Sequence, residues 1–190
     1  MGSFPRRRPQ NPYLNYRIFA SFCSKDALTK PNMSNWIECY NLWTNIWHHV
    51  TRIPGVKDNN VQKGFSTVSI GDSLYMIGGK LCHKVFCHDE IGEVDLEVVL
   101  SSVLRYDLQN NIWSQCAPLR VPQFDFACMV CDGKIYVAGG QTMSSVGRGV
   151  SSAELYDLAL DEWRLLPNIY KHLKVQVCWG DVARENPRGN

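Results

Sequence analysis

The chain has 190 residues, 45% hydrophobic and 20% charged, a composition in the ordinary globular range and a length sufficient for one domain with a core. A formal net charge of +2 is too balanced to mark nucleic acid or an anionic membrane as the main partner. No run reaches the ~18–20 continuous apolar residues of a membrane helix, and the start carries no apolar signal core, so neither a membrane span nor export is expected.

The first nine residues, with Arg6, Arg7 and Arg8 between two prolines, read as a solvated, disordered start in preference to a nuclear-import tag. The apolar run RIFASFCS (17–24) reads as a strand, and NWIECYNLWTNIW (35–47) follows it. GFSTVSIGDSLYMIGGK (64–80) reads as two short strands around Gly71-Asp72 and ends in Gly78-Gly79. The segment LCHKVFCHDEIGEVDLEVV then leads to SSVLRYDLQNNIW (101–113), a third strand followed by a fourth starting at the tryptophan. DFACMVCDGKIYVAGGQ (125–141) repeats the earlier strand pair at an offset of 61, placing Gly139-Gly140 on Gly78-Gly79. SSAELYDLALDEW (151–163) repeats the third and fourth strands. VQVCWGD (175–181) aligns with the first strand of another repeat, and 182–190 reads as a polar tail.

The self-similarity is specific because several features recur in a fixed order. A tyrosine precedes a tryptophan by seven positions three times, as Tyr40/Trp47, Tyr106/Trp113 and Tyr156/Trp163, with Leu42, Leu108 and Leu158 each two residues after the tyrosine. Strand, turn, strand ending in Gly-Gly, loop, Tyr-Asp and tryptophan in this order resembles the kelch motif. The resemblance covers 64–119 and 125–168 and extends into a degenerate first repeat at about 10–53, where counting back from Tyr40 puts Cys23-Ser24 on the glycine pair. It implies an all-β fold of four-stranded antiparallel propeller blades, about three of them, with a partial repeat at 175–181. Three blades fall short of the 4–8 of a closed ring, so self-association through open blade edges is expected.

Glycine pairs allow close backbone approach, and tyrosine and tryptophan supply large apolar area, so Gly78, Gly79, Gly139, Gly140, Tyr40, Trp47, Tyr106, Trp113, Tyr156 and Trp163 read as structural. Gly79 to Tyr106 spans 27 positions, against 16 from Gly140 to Tyr156, so the middle repeat carries an insertion. It reads as a polar surface loop and is the candidate partner-binding segment through His83, His88, Asp89, Glu90 and Glu93. Cys82-His83 and Cys87-His88 resemble zinc ligands in type. Neighbours on an extended chain point to opposite sides, however, and no metal or other cofactor is expected. His48-His49 reads as a solvated pair on an outer strand. The eight cysteines, several of them in strand-like runs, are expected to be reduced in a cytoplasmic or nuclear protein.

No phosphate loop, nucleophile elbow or HExxH motif is present. The resemblance therefore implies a non-enzymatic module that holds a protein partner, related to substrate receptors of cullin-based ubiquitin ligases. The style is most similar to plant F-box/kelch proteins, although the first ~35 residues are too short and irregular for an F-box bundle. Two alternatives are a galactose-oxidase-like or mutarotase-like enzyme and a truncated chain without independent activity. The five histidines do not document the converging copper site that the first would need.

Overall fold

Short β-rich runs punctuated by Asx and glycine turns give a structure whose regular elements, among the described residues, are all strands. The computed structural model describes residues 17–23, 35–57, 60–87, 90–142, 149 and 151–167, with the side chains of 84–97 outside the description. In chain order the strands are β1 (Ile18–Cys23), β2 (Asn35–Asn41), β3 (Ile46–Arg52), β4 (Asn60–Lys63), β5 (Ser66–Ile70), β6 (Ser73–Ile77) and β7 (Lys80–Cys87). They continue as β8 (Glu90–Val99), β9 (Val103–Asp107), β10 (Ile112–Cys116), β11 (Ala127–Cys131), β12 (Lys134–Ala138), β13 (Ala153–Asp157) and β14 (Glu162–Leu166).

Two four-stranded antiparallel sheets form the blades expected from the repeats: β5-β6-β9-β10 and β11-β12-β13-β14. The degenerate first repeat gives, among the described residues, three strands of a blade, β1-β2-β3. Its register places Phe22 and Cys23 on the glycine-pair positions, one residue earlier than counting along the sequence suggests, because Ile18 pairs with Tyr40 as Leu74 pairs with Tyr106. The stretches 1–9, 175–181 and 182–190 lie outside the described residues.

Inside each blade the turns are chemically specified. Asp132 and Gly133 both have positive φ, 48° and 69°, as a two-residue type I′ hairpin turn requires. The turn before each tryptophan is closed by an Asx side chain: Asp107 Oδ1 accepts from the backbone N–H of Gln109 (2.9 Å) and Asn110 (3.0 Å), and Asn41 accepts likewise from Trp43 and Thr44. Each turn ends in a left-handed Asn or Asp, at Asn45, Asn111 and Asp161. The repeat tyrosine completes it by donating its hydroxyl to that residue: Tyr40 to Asn45, Tyr106 to Asn111 at 3.0 Å, and Tyr156 to Asp161 at 2.5 Å. The recurring Tyr-Asx-Leu spacing thus encodes a turn as well as a strand.

Blades stack face to face, with β11 beside β5. Alternation along each strand splits blade 2 into two apolar sides. Leu74, Met76 and Tyr106 pack with Ile37 and Ile53 of blade 1. Tyr75, Ile77 and Val103 pack with Ile135, Val137, Tyr156 and Trp163 of blade 3. The tryptophans are unequally covered. Trp163 is 2% exposed, Trp113 is half-buried, and Trp47 is 40% exposed. Trp47 therefore does not pack blades together as its motif position suggests, since among the described residues no blade precedes its face. Tyr40 beside it is half-buried, whereas Tyr106 and Tyr156 are buried.

Candidate interaction site

The segment read as a polar loop is a β-hairpin. β7 and β8 pair antiparallel from Lys80↔Val99 to Cys87↔Glu90, with a bulge at Leu81/Cys82, and β4 adds a third strand along β7. The signal in the sequence is partial: EVDLEV (93–98) alternates polar with apolar residues as a strand with one wet face does, whereas KLCHKVF (80–86) does not alternate. His83 sits on β7 opposite Asn60, and its Nδ1 lies 2.8 Å from Asn60 Oδ1. Glu90 and Glu93 fall on β8, in register with Cys87 and Lys84. His88 and Asp89 lie outside the described residues, so the structure unites His83, Glu90 and Glu93 on one hairpin and leaves those two unplaced.

The hairpin has a rigid root. Asn35 and Gln62, both buried, form a paired amide clasp: Asn35 Nδ2 donates to the Gln62 carbonyl at 3.0 Å and Gln62 N–H donates to Asn35 Oδ1 at 2.7 Å. The Gln62 side-chain amide reaches on to the Gly78 carbonyl at 2.6 Å. Lys80 holds its ammonium 4.8 Å from the centroid of the Phe124 ring. β4 is thereby tied to blade 1, to the glycine pair of blade 2 and to the hairpin at once.

A cleft opens at this root. A cavity of about 490 Å³ is lined by Phe19, Phe65, Val68, Phe126 and Cys128, and an adjoining one of about 420 Å³ reaches Gln62, Lys63 and Lys80. The two share Ser21, Gly64, Phe65 and Asp125, so a cleft with an aromatic cluster in a mixed lining adjoins a part that carries both charges. Burial pushes the Cys128 thiol up to about 12, which makes it a neutral lining group and not a nucleophile. Among the described residues no three His, Cys, Asp or Glu side chains gather closely enough to hold a metal ion.

One residue absent from the sequence reading fixes the adjacent connection. Glu154 is fully buried, and its carboxylate accepts the backbone N–H of Arg120 (2.9 Å) and of Val121 (3.0 Å). It clamps the segment joining blades 2 and 3 at the side carrying the glycine pairs. The available signal was an acidic residue two positions before the repeat tyrosine, on the strand face where blade 2 carries Leu104. Glu154→Ala should cost about 3 kcal/mol, because it removes two charge-assisted bonds and strands two N–H groups. Faster amide exchange at Arg120 and Val121 than at Tyr136 would show that the loss is local at first.

The tyrosine turn of blade 3 also holds the segment that leaves blade 2. Asp161 Oδ1 accepts the Ala117 N–H at 2.8 Å, and this bond, followed by that from Tyr156, holds the Asp161 carboxyl below the usual carboxylate range. Burial, and then the bond to Asp161, raises Tyr156 above the ordinary phenol value. His48 and His49 lie on β3 with both side chains exposed.

Comparison with known proteins agrees with this architecture. The Kelch motif family pattern matches residues 124–169, which span blade 3 and its entry segment. The chain is similar to an F-box/kelch-repeat protein of Arabidopsis thaliana, 34% identical over 143 residues that cover 74% of this chain and 35% of the relative. It is 31% identical over 109 residues to the Arabidopsis thaliana F-box/kelch-repeat protein OR23, covering 54% of this chain and 24% of that one. It is also 25% identical over 142 residues to Kelch-like protein 23 of Homo sapiens, covering 75% and 21%. The chain thus spans about a third or less of the length of these relatives. Repeated Tyr-Asx turns, glycine pairs at blade contacts and four-stranded blades, together with these matches, place the chain in the kelch-repeat family.

Proposed function

We propose that the chain is a protein-interaction module that engages its partner with the β7–β8 hairpin and the cleft mouth at its root. The observation that carries this reading is the joint placement of the two. The middle repeat's insertion is built with β4 into a three-stranded sheet of its own on a clasped base, and that base borders a cleft lined by Phe19, Phe65 and Phe126 and flanked by Lys63, Lys80 and Asp125. A hairpin inserted in one repeat beside a recess with an aromatic cluster suits an extended peptide segment, whose side chains fill the recess while the hairpin rim sets specificity. The relatives named as F-box/kelch-repeat proteins further suggest that the partner is a substrate or component of a cullin-based ubiquitin ligase.

A photo-crosslinking amino acid placed at Glu93 should capture a partner that the same group at Gln109, on the opposite side, does not. Equal capture at both positions, or none at Glu93, rejects the hairpin as the contact. Probing the Glu93 adducts for ligase adaptor and cullin then tests the finer reading. A partner captured without them leaves the module and removes the ligase.

A further inference from the structure

One charge at the contact of blades 2 and 3 has no counterpart in the repeat. The residue before each repeat tyrosine is Cys39 in blade 1, Arg105 in blade 2 and Leu155 in blade 3. Arg105 pairs with Tyr75 across β9 and β6, so it stands on the same side of its sheet as Tyr75, Ile77 and Val103, which pack against blade 3. What every blade needs at this position is met elsewhere without a charge. Arg105 therefore answers to something that blade 2 alone does.

Arg105 is exposed and lines a recess of about 390 Å³ that combines hydrogen-bond donors with an apolar lining. Ile70 of blade 2 and Leu158 of blade 3 supply the apolar part. Ser73, which is buried, and Tyr75, which is 4% exposed, supply hydroxyls. Arg105 Nε donates to Ser73 Oγ at 2.9 Å, which fixes the guanidinium and leaves both Nη groups without an acceptor among the described residues. The Tyr75 hydroxyl also has no hydrogen-bond partner among them. Burial raises it above the ordinary phenol value, so it stays protonated and able to donate. Asp72 and Asp107 line the recess too, but both carboxylates are engaged elsewhere. Asp107 closes its own turn with both oxygens, the second accepting the Asn110 side-chain amide at 3.0 Å, and Asp72 accepts Gln109 Nε2 at 2.7 Å. The result is a set of fixed donors facing a cavity, with the acceptor missing.

We propose that this recess binds a glutamate side chain of a protein partner, with the carboxylate on the Arg105 fork and the Tyr75 hydroxyl and the methylenes between Ile70 and Leu158. A guanidinium held at Nε keeps its Nη groups for a carboxylate, whose two oxygens match them in spacing. Asp72 and Asp107 set the limit on charge. They repel a ligand in proportion to its own charge, so a phosphate dianion is opposed up to about twice as strongly as a carboxylate. A cation would meet a guanidinium that repels it and carboxylates that are already bonded. The recess sits at the Ser73 end of β6, whereas the glycine pair at the hairpin root follows its Ile77 end. Its occupant is therefore a different protein from the one assigned to the hairpin, and the two sites stand or fall separately.

N-acetylglutamate N-methylamide carries a single carboxylate, on its side chain. Added to the isotope-labelled full chain at neutral pH, it should shift the amide resonances of Ser73 and Leu158 along a saturable curve, with a dissociation constant on the order of millimolar. Arg105→Lys keeps the charge and loses the fork, and should weaken binding roughly tenfold. Tyr75→Phe keeps the core ring and deletes only a hydroxyl that no protein group uses, and should weaken it by a similar factor. Circular dichroism and a cooperative melt should match the wild type in both, so that lost binding is not lost folding. A shift that grows without saturating overturns the proposal, as does a titration that neither substitution changes. Equal binding of the glutamine analogue, or tighter binding of the phosphoserine or lysine analogue, overturns it as well. Equal binding of N-acetylalanine, whose carboxylate stands for a chain end, overturns the assignment to a glutamate side chain.

Discussion

Trp163→Ala should lower the folding free energy by ~3–5 kcal/mol, the range for deleting a buried tryptophan from a packed core. The side chain is 2% exposed, its ring lies 5.0 Å from that of Tyr156, and its N–H holds the Ala117 carbonyl across the blade contact. Truncation removes apolar area, leaves a cavity between blades 2 and 3, and orphans an acceptor. Trp113→Ala has the same chemistry at a half-buried position and should cost roughly half as much, since the transfer contribution scales with the area withdrawn from water. Urea denaturation followed by circular dichroism would rank the two. An equal or inverted order would mean that blade contacts are not graded as their cover implies.

Gly78→Ala should be as damaging, through a different mechanism. Gly78 has φ of +60°, and an added Cβ would come within 2.6 Å of the Gln123 carbonyl and 2.9 Å of the Phe126 ring. The left-handed conformation alone costs roughly 1–2 kcal/mol with a Cβ. The clash falls on backbone that is itself bonded, because the Gly79 N–H donates to the Gln123 carbonyl at 2.9 Å. The chain must separate the glycine pair from the entry strand of blade 3, and the total should reach at least ~3 kcal/mol. Gly133→Ala is the control. Its φ is +69° with nothing within 4 Å of the added Cβ, so only the conformational cost of roughly 1–2 kcal/mol remains. Thermal melts of the two variants should differ accordingly, and similar melting points would mean that the backbone contact at Gly78 relaxes freely.

The two substitutions show which features were readable in advance. Strands β5, β6 and β9–β14 lie where their repeats placed them, because β-branched runs, Asp-Gly turns and the tyrosine spacing are local signals that each blade restates. The β7–β8 hairpin was misread for the converse reason. It occurs once, so no repeat marked it, and its charge and paired Cys-His steps outweighed a weaker alternation. The role of Glu154 is not local, because its buried carboxylate is explained only by two N–H groups more than thirty residues earlier in the chain. The Asn35–Gln62 clasp likewise joins residues 27 apart in sequence.

The sequence by itself determined the family, the blade as building unit, and which residues form its turns, since all of these depend on interactions within about fifty residues that recur. Tertiary structure alone decided what each repeated residue does. Tyr40/Trp47, Tyr106/Trp113 and Tyr156/Trp163 are written alike, yet the third pair is core, the second joins two blades, and the first meets solvent. Burial is a property of what stands opposite, and a repeat carries no record of whether its neighbour is present.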